Sequence, residues 1–117
     1  MMVGEKIPLA QARENSTNAV SVHSSPNGYL DIVETIILCN QSGLGATFRL
    51  FFDQDGTTYD ETTALYWDAS LPANSSLTIE FEKGLYMNNN SGNLAYRSNT
   101  ANAITISIWG SREFKNK

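Results

Sequence analysis

Residues 36–56 read IILCNQSGLGATFRLFFDQDG, and the fold prediction starts from them. Two apolar runs, residues 36–39 and 48–52, are separated by small and amide-bearing residues, and residues 53–56 end the second run. β-Branched and aromatic runs interrupted at Gly, Asn and Asp are typical of strands joined by tight turns. The stretch therefore predicts two central strands on which the other strands pack.

The rest of the chain repeats this pattern of short strands and turn residues. Such spacing, without a sustained helical period, predicts an all-β fold, a single antiparallel β-sandwich of jelly-roll or Ig-like type with seven to eight strands. We expect an extended N-terminal arm over residues 1–15, the sandwich domain over residues 16–110 and a basic C-terminal tail over residues 111–117. The predicted strands cover residues 17–23, 29–40, 46–52, 61–67, 77–81, 93–98 and 103–109, with loops at residues 68–74 and 83–93.

Composition and charge limit the functional classes. The chain has 117 residues, of which 41% are hydrophobic and 17% charged, enough for one domain with one modest core. Asn, Ser and Thr number 12, 12 and 10 and supply much of the polar surface. A formal net charge of −4 disfavours nucleic-acid binding. The longest apolar run is four residues, against the roughly 20 that a spanning helix needs, so no membrane partner is predicted.

Nucleophilic catalysis has few candidate residues in this chain. His23 is the only histidine and Cys39 the only cysteine. Neither lies in a strand-to-helix elbow or in a recognisable catalytic motif. We interpret them as a surface histidine and a buried structural thiol. The sequence predicts a protein that is not an enzyme and that needs no cofactor.

One acidic stretch has a pattern that calcium sites share. Asp53, Asp55, Asp60 and Glu61 surround Gly56, and Ca²⁺ binds six to eight oxygen ligands. The stretch departs from an EF-hand loop because one acidic position is missing and no helices flank it. An Asp-Gly turn forms without a metal, since both residues tolerate positive φ. We favour a turn without metal and keep calcium as the alternative.

Carboxylates and aromatic residues offer two further interpretations. The pairs Asp60/Glu61 and Glu80/Glu82 have the residue type that glycosidases use, but most such pairs simply keep an outer face soluble. Aromatic side chains among amide-rich loops are also typical of sugar-binding sandwiches. The candidate sugar platforms are Tyr59, Tyr66, Trp67, Tyr86, Tyr96 and Trp109, although we expect most of these side chains to be in the core or half-buried.

Seven stretches in order carry a family resemblance. They are IPLAQ at residues 7–11, SPNG at 25–28, ILCN at 37–40, residues 53–67 with TTYDETTALYW, LPANSSLTI at 71–79, GNLAYR at 92–97 and ITISIWG at 104–110. In this order the chain resembles a family of small phage virion β-sandwich proteins, which are decoration or tail-associated subunits. The family has no catalytic residues.

The resemblance implies a non-enzymatic structural subunit of a bacteriophage virion, and first a capsid decoration (cement) protein. The alternatives are a tail, baseplate or head-tail protein, or a carbohydrate- or receptor-binding module. It implies a location in the virion after synthesis in the host cytoplasm. The expected partners are its own copies, in a homo-oligomer that can be a trimer, and virion proteins such as the major capsid protein. The expected assembly contacts are Ile7, Pro8, Leu9, Tyr86, Met87 and Phe114.

Overall fold

Eight β-strands make up the computed structural model, which describes residues 6–88 and 91–114 of the chain. Within these residues, no helix is long and apolar enough to cross a membrane. The strands are β1 (Ile7–Arg13), β2 (Val20–His23), β3 (Tyr29–Asn40), β4 (Ala46–Asp53), β5 (Ala64–Leu71), β6 (Ser75–Met87), β7 (Asn93–Ser98) and β8 (Ile104–Phe114).

The strands form two four-stranded sheets. Sheet A has the order β1-β8-β3-β6 and sheet B the order β2-β7-β4-β5, and neighbours in both are antiparallel. The predicted all-β sandwich is confirmed. The two central strands, β3 and β4, belong to different sheets, so residues 41–45 carry the chain from one layer to the other. An antiparallel sheet with one face on a core alternates apolar and polar residues, as this sequence does.

The core lies between the two sheets. Sheet A contributes cross-strand apolar rows, in which Ile36 lies opposite Ile108 and Ile79, and Leu38 lies opposite Ile106 and Leu77. Each fully buried Leu or Ile contributes about 1.5–3 kcal/mol relative to an exposed one. The facing layer comes from β4 and β7 and includes Phe48, Leu50, Leu94 and Tyr96, all at most 1% exposed.

The predicted arm and tail are partly strands. Within the predicted arm, Ile7–Arg13 pairs antiparallel with β8 as an edge strand, so the arm prediction is wrong there. A register shift between Pro8 and Ala10 hides its period-2 pattern, and proline is tolerated at such an edge. At the other end, β8 continues to Phe114, which pairs with Tyr29, so residues 111–114 extend the sheet. The outermost parts of the predicted arm and tail, residues 1–5 and 115–117, lie outside the described residues.

Two predicted loops are also strand. Ala64–Leu71 forms β5, so residues 69–71 pair with β4, and Asp68 lies at a register shift with a positive φ of 52°. Ser75–Met87 forms β6 and runs along most of β3, which places most of the predicted loop start, residues 83–87, in the sheet. The sequence did not predict this extension of β6, because its charged residues and Gly84 interrupt the apolar alternation where β3 and β6 change register. Part of that predicted loop, residues 89–90, lies outside the described residues.

Candidate interaction site on the outer face of sheet A

Three cross-strand rows of side chains on the outer face of sheet A span all four strands. Directly opposite residues of antiparallel strands share a side of the sheet, so the strand register defines these rows. From β1 through β8 and β3 to β6 they are Arg13–Thr105–Cys39–Ser76, Gln11–Ser107–Ile37–Thr78 and Pro8–Trp109–Thr35–Glu80.

Most of this face is neutral. Two hydrogen bonds link polar side chains of this face. Gln11 Nε2 donates to Ser107 Oγ at 3.1 Å, and Thr105 Oγ1 donates to Gln41 Oε1 at 3.1 Å. Ile37 is half-buried and Trp109 is 36% exposed. Protein interfaces have the same arrangement, with charge depleted at the centre and aromatic residues enriched.

The two charged members of these rows occupy opposite corners. Arg13 lies on edge strand β1 in the first row, and Glu80 lies on edge strand β6 in the third. Both side chains are exposed, and neither has a hydrogen bond or ion pair within residues 6–88 and 91–114. Near the third row, Lys6 Nζ lies 3.7 Å from Glu34 Oε1 and donates to Thr35 Oγ1 at 3.1 Å.

A bulge in β6 opens a pocket beside the Glu80 corner. Thr35 pairs with Glu80 and Val33 with Leu85, so residues 81–84 all lie opposite the single residue Glu34. Gly84 has a φ of +78° in this bulge. A Cβ there would come within 2.6 Å of a methyl of Ile32, so glycine suits both the backbone angle and the space.

The pocket has a volume of about 470 Å³ and an acidic lining. Ile32, Phe81 and Tyr86 supply its apolar wall. Ser111 also lines it, and its buried hydroxyl has no hydrogen-bond partner within the described part of the chain. The charged lining residues are the carboxylates Glu34, Glu80, Glu82 and Glu113 and the lysines Lys6 and Lys83.

The predicted assembly contacts divide into accessible and buried residues. Met87 is 1% exposed, so its prediction as a contact is wrong; its pairing with Asp31 turns it into the core. Tyr86 is 52% exposed on the pocket wall, and Phe114 is 70% exposed and packs edge-to-face on Tyr29 at 5.6 Å. On β1, Pro8 is exposed, whereas Ile7 and Leu9 are half-buried. The accessible residues remain predicted contacts.

The predicted calcium residues act as hydrogen-bond acceptors within their own turns. Asp53 accepts from the backbone N–H groups of Thr58 at 2.8 Å and Asp55 at 3.2 Å. Asp60 accepts from the hydroxyl of Thr62 at 2.6 Å and its N–H at 2.9 Å. These bonds lower the pKa values of both carboxyls. Across the described residues, no three His, Cys, Asp or Glu side chains group as metal ligands, and Glu61 is exposed.

His23 and Cys39 lie in different surroundings from those predicted. The His23 side chain is only 8% exposed, and its Nε2 lies 2.7 Å from Oδ2 of the fully buried Asp31, so it is not a surface histidine. Cys39 is half-buried on the outer face of sheet A rather than in the core. It follows Asp31 by eight residues along β3, about 26 Å at 3.3 Å per residue. The structure therefore does not bring the thiol to the imidazole.

Arg112 is the main group that lowers the pKa of Asp31. Burial raises the pKa of this carboxyl, but hydrogen bonds from Arg112 and His23 outweigh burial and lower the pKa below its usual value. The guanidinium pKa of Arg112 rises in turn, chiefly through its hydrogen bonds to Asp31. The three groups therefore form a hydrogen-bonded cluster at one end of the sandwich.

The candidate sugar platforms are not equally open. Tyr96 is 1% exposed and is excluded. Trp67 is 42% exposed, but the guanidinium carbon of Arg49 lies 3.6 Å from its ring centroid and covers one ring face. Tyr59 and Tyr66 are half-buried against Phe51 and Phe48. Trp109 and Tyr86 are both exposed on the outer face of sheet A, a shared position that the sequence pattern did not reveal.

Comparison with solved structures finds structural likeness at low sequence identity. No protein-family model and no curated protein matches the sequence. The chain is similar to a solved chain from "Structure of infectious bursal disease virus Gx strain", with a TM-score of 0.49 and 12% sequence identity. The match covers 93% of this chain and 29% of that chain, so this chain spans under a third of its length. At this TM-score we draw no functional argument from the likeness.

Proposed function

We propose that this protein is a non-enzymatic structural subunit of a virion, and specifically a capsid decoration (cement) protein of a bacteriophage. The observation that carries the proposal is the neutral outer face of sheet A, with Ile37 and Trp109 at its centre and rim. The ordered resemblance of seven sequence stretches to small phage virion sandwich proteins supports the phage assignment. The subunit acts by burying this face against its own copies and against the major capsid protein.

The chemistry of the face supports a protein partner. Solvated sheet faces commonly carry Lys and Glu, whereas here Ser107, Ile37 and Thr105 occupy central positions. Neutral hydroxyl and aliphatic groups lose little hydration when a second protein covers them, and charged groups lose much more. The open edges of β1 and β6 offer further backbone groups for pairing at the borders of the same face.

Virion composition tests the proposal. We expect particles purified on a density gradient from cells producing the encoding virus to contain this chain in a fixed ratio to the major capsid protein. Ser107→Lys places a charge at the centre of the face and is expected to remove the chain from particles. Ser70→Lys, a matched change on the exposed part of β5 in sheet B, is expected to leave its incorporation unchanged. Particles without the chain would contradict the proposal.

The same purification separates the head and tail alternatives. Heads and tails resolved on the gradient are analysed individually by mass spectrometry. A cement protein is expected in the head fraction, including heads that have no tail attached. Presence in tails alone would contradict the cement assignment and favour the tail or baseplate alternative.

A carbohydrate- or receptor-binding module is the second candidate, because Trp109 and Tyr86 are both exposed on one face. Aromatic rings of this kind bind sugars by stacking. Glycan-array binding that is lost in Trp109→Ala and Tyr86→Ala would favour this candidate. Trp67→Ala is the control, since Arg49 already covers one face of that ring. No glycan binding by the native chain would count against it.

A further inference from the structure

We propose that the outer face of sheet A binds a second copy of this chain, with Arg13 of each copy at the acidic pocket beside Glu80 of the other. The proposal rests on the proposed structural function and names one partner of that face. It follows from the positions of two charges, the lining of the pocket and the neutral rows between them.

The positions of Arg13 and Glu80 fit a twofold dimer. They occupy opposite corners of the face, Arg13 on one edge strand and Glu80 on the other. When two such faces meet, they can be related by a twofold axis that lies in the contact plane, perpendicular to the line from Arg13 to Glu80. This axis brings the Arg13 corner of each copy onto the Glu80 corner of the other. Each Arg13 then meets the other copy's Glu80, and the dimer contains the contact twice. A self-complementary patch of this kind is what a twofold interface requires.

The pocket suits a guanidinium group. Its lining has four carboxylates and two lysines, and Lys6 already pairs with Glu34. The hydroxyl of Ser111, buried and without a hydrogen-bond partner in the described residues, is free to accept a hydrogen bond. A guanidinium has five N–H donors and no acceptor, which matches carboxylate and hydroxyl oxygens. The exposed ring of Tyr86 adds an aromatic wall, on which arginine stacks favourably.

Arg13 is available for this contact. It is exposed, and within residues 6–88 and 91–114 it has no ion pair. By contrast, Arg49 is paired with Asp68 and Arg112 with Asp31, so both of those guanidinium groups are occupied. Arg97 donates to the backbone oxygen of Thr17. Arg13 is therefore the arginine whose guanidinium has the most N–H groups without a hydrogen-bond acceptor in the described residues.

The area of the face predicts weak association. Four strands about 4.8 Å apart, crossed by three rows about 6.6 Å apart, cover roughly 300–400 Å² including the side-chain margins. Stable interfaces bury about 800 Å² on each partner. The dimer is therefore expected at high protein concentration in solution, and a shell that presents many copies together would favour it further.

Sedimentation equilibrium of the full chain at concentrations up to about 1 mM tests the pairing. Native protein is expected to dimerise. Arg13→Glu and Glu80→Arg each place like charges at both contacts, and each is expected to weaken dimerisation at least tenfold. An equimolar mixture of the two variants is expected to recover it. In the mixed dimer the new carboxylate of one subunit meets the new guanidinium of the other, while the unchanged Arg13 and Glu80 form the second contact. The double variant is expected to dimerise with itself.

Two results would overturn the proposal. One is a native chain that stays monomeric over this range, and the other is single variants that dimerise as well as the native chain. Asp55→Arg, a charge change in an exposed turn outside the face, is the control and is expected to have no effect. If Ser107→Lys removes the chain from particles while Arg13→Glu leaves self-association unchanged, the face binds another virion protein. This outcome would contradict the proposed dimer but not the proposed structural function.

Discussion

Arg112 binds both carboxylate oxygens of Asp31, through Nε at 2.7 Å and through a terminal guanidinium nitrogen at 2.9 Å. Asp31 is fully buried in β3, and His23 approaches it from β2 of the other sheet. The cluster therefore joins β8 and β3 within sheet A and connects them to sheet B. It anchors the end of the sandwich at which β8 extends to Phe114.

We expect Arg112→Ala to lower the free energy of unfolding by about 3–5 kcal/mol, because it leaves a buried carboxylate without its main partner. Arg49→Ala is the matched control, since Arg49 also binds a carboxylate through two nitrogens, at 2.6 and 3.1 Å to Asp68. The Asp68 side chain is 49% exposed, so water replaces the lost bonds and the expected loss is much smaller than that of Arg112→Ala. Urea unfolding measures both, and equal losses would contradict the role of burial.

The lowered pKa of Asp31 predicts how stability depends on pH. A carboxyl with a lower pKa in the folded state than in the unfolded chain binds fewer protons when folded. Its stabilising contribution is complete above the ordinary pKa of 3.8 and is lost as pH falls through the folded value. We expect Asp31→Asn to reduce the fall in urea midpoint below about pH 4. Part of the fall remains, because the pKa values of Asp53 and Asp60 are lowered too.

The control for this measurement is Asp55→Asn, which removes an exposed carboxyl of the same turn region as Asp53. It is expected to keep the acid dependence of the native chain. A native-like pH dependence in Asp31→Asn would contradict the contribution of Asp31 to the loss of stability in acid.

Periodic residues account for what the sequence predicted correctly. The alternation of Ile104, Ile106 and Ile108 with Thr105 and Ser107 predicted a strand with one buried face, and the structure has that strand. The polar residues of this alternation lie on the outer face of sheet A, opposite the polar residues of the neighbouring strands. Their alignment depends on strand order and register, which the pattern of a single strand does not contain.

Irregular residues account for what was missed. β6 changes register around residues 81–84, so its charged and glycine residues look like a loop although the strand continues to Met87. The buried position of His23 was also missed, because its partners Asp31 and Arg112 lie on other strands. Charge pairs of this kind have no local signal, since each residue alone is typical of a surface.

Tyr96 connects both layers through its hydroxyl. The hydroxyl donates to the backbone oxygen of Ile104 at 3.1 Å and accepts from the N–H of Glu14 at 2.9 Å, while the ring is buried from β7. Tyr96→Phe is expected to cost about 1–3 kcal/mol, because two backbone groups lose their partner. Tyr66→Phe removes a hydroxyl from a half-buried ring on Phe48 and is expected to cost less than about 0.5 kcal/mol. Equal urea midpoints for the two variants would contradict this.

Gly110 lies where the backbone of β8 packs tightly against that of β3. A Cβ at this position would clash with the backbone oxygen of Ile32 and lie 3.0 Å from Cα of Val33, so any side chain must push the two strands apart. We expect Gly110→Ala to destabilise the fold by about 3 kcal/mol or more. Gly43→Ala is the control, because nothing lies within 4 Å of its added Cβ. That change is expected to stay within about 0.5 kcal/mol of the native stability.

The Gly110 variant also tests how the pocket is built. The close approach at Ile32 and Val33 adjoins the bulge at Glu34, opposite which residues 81–84 of β6 form the bulge that opens the acidic pocket. If strand spacing here sets the bulge, amide chemical shifts of residues 81–84 in folded Gly110→Ala protein are expected to differ from native ones. Those in the turn around Asp55 are expected to match. Unchanged shifts throughout residues 81–84 would mean that the bulge forms independently of the contact between β3 and β8.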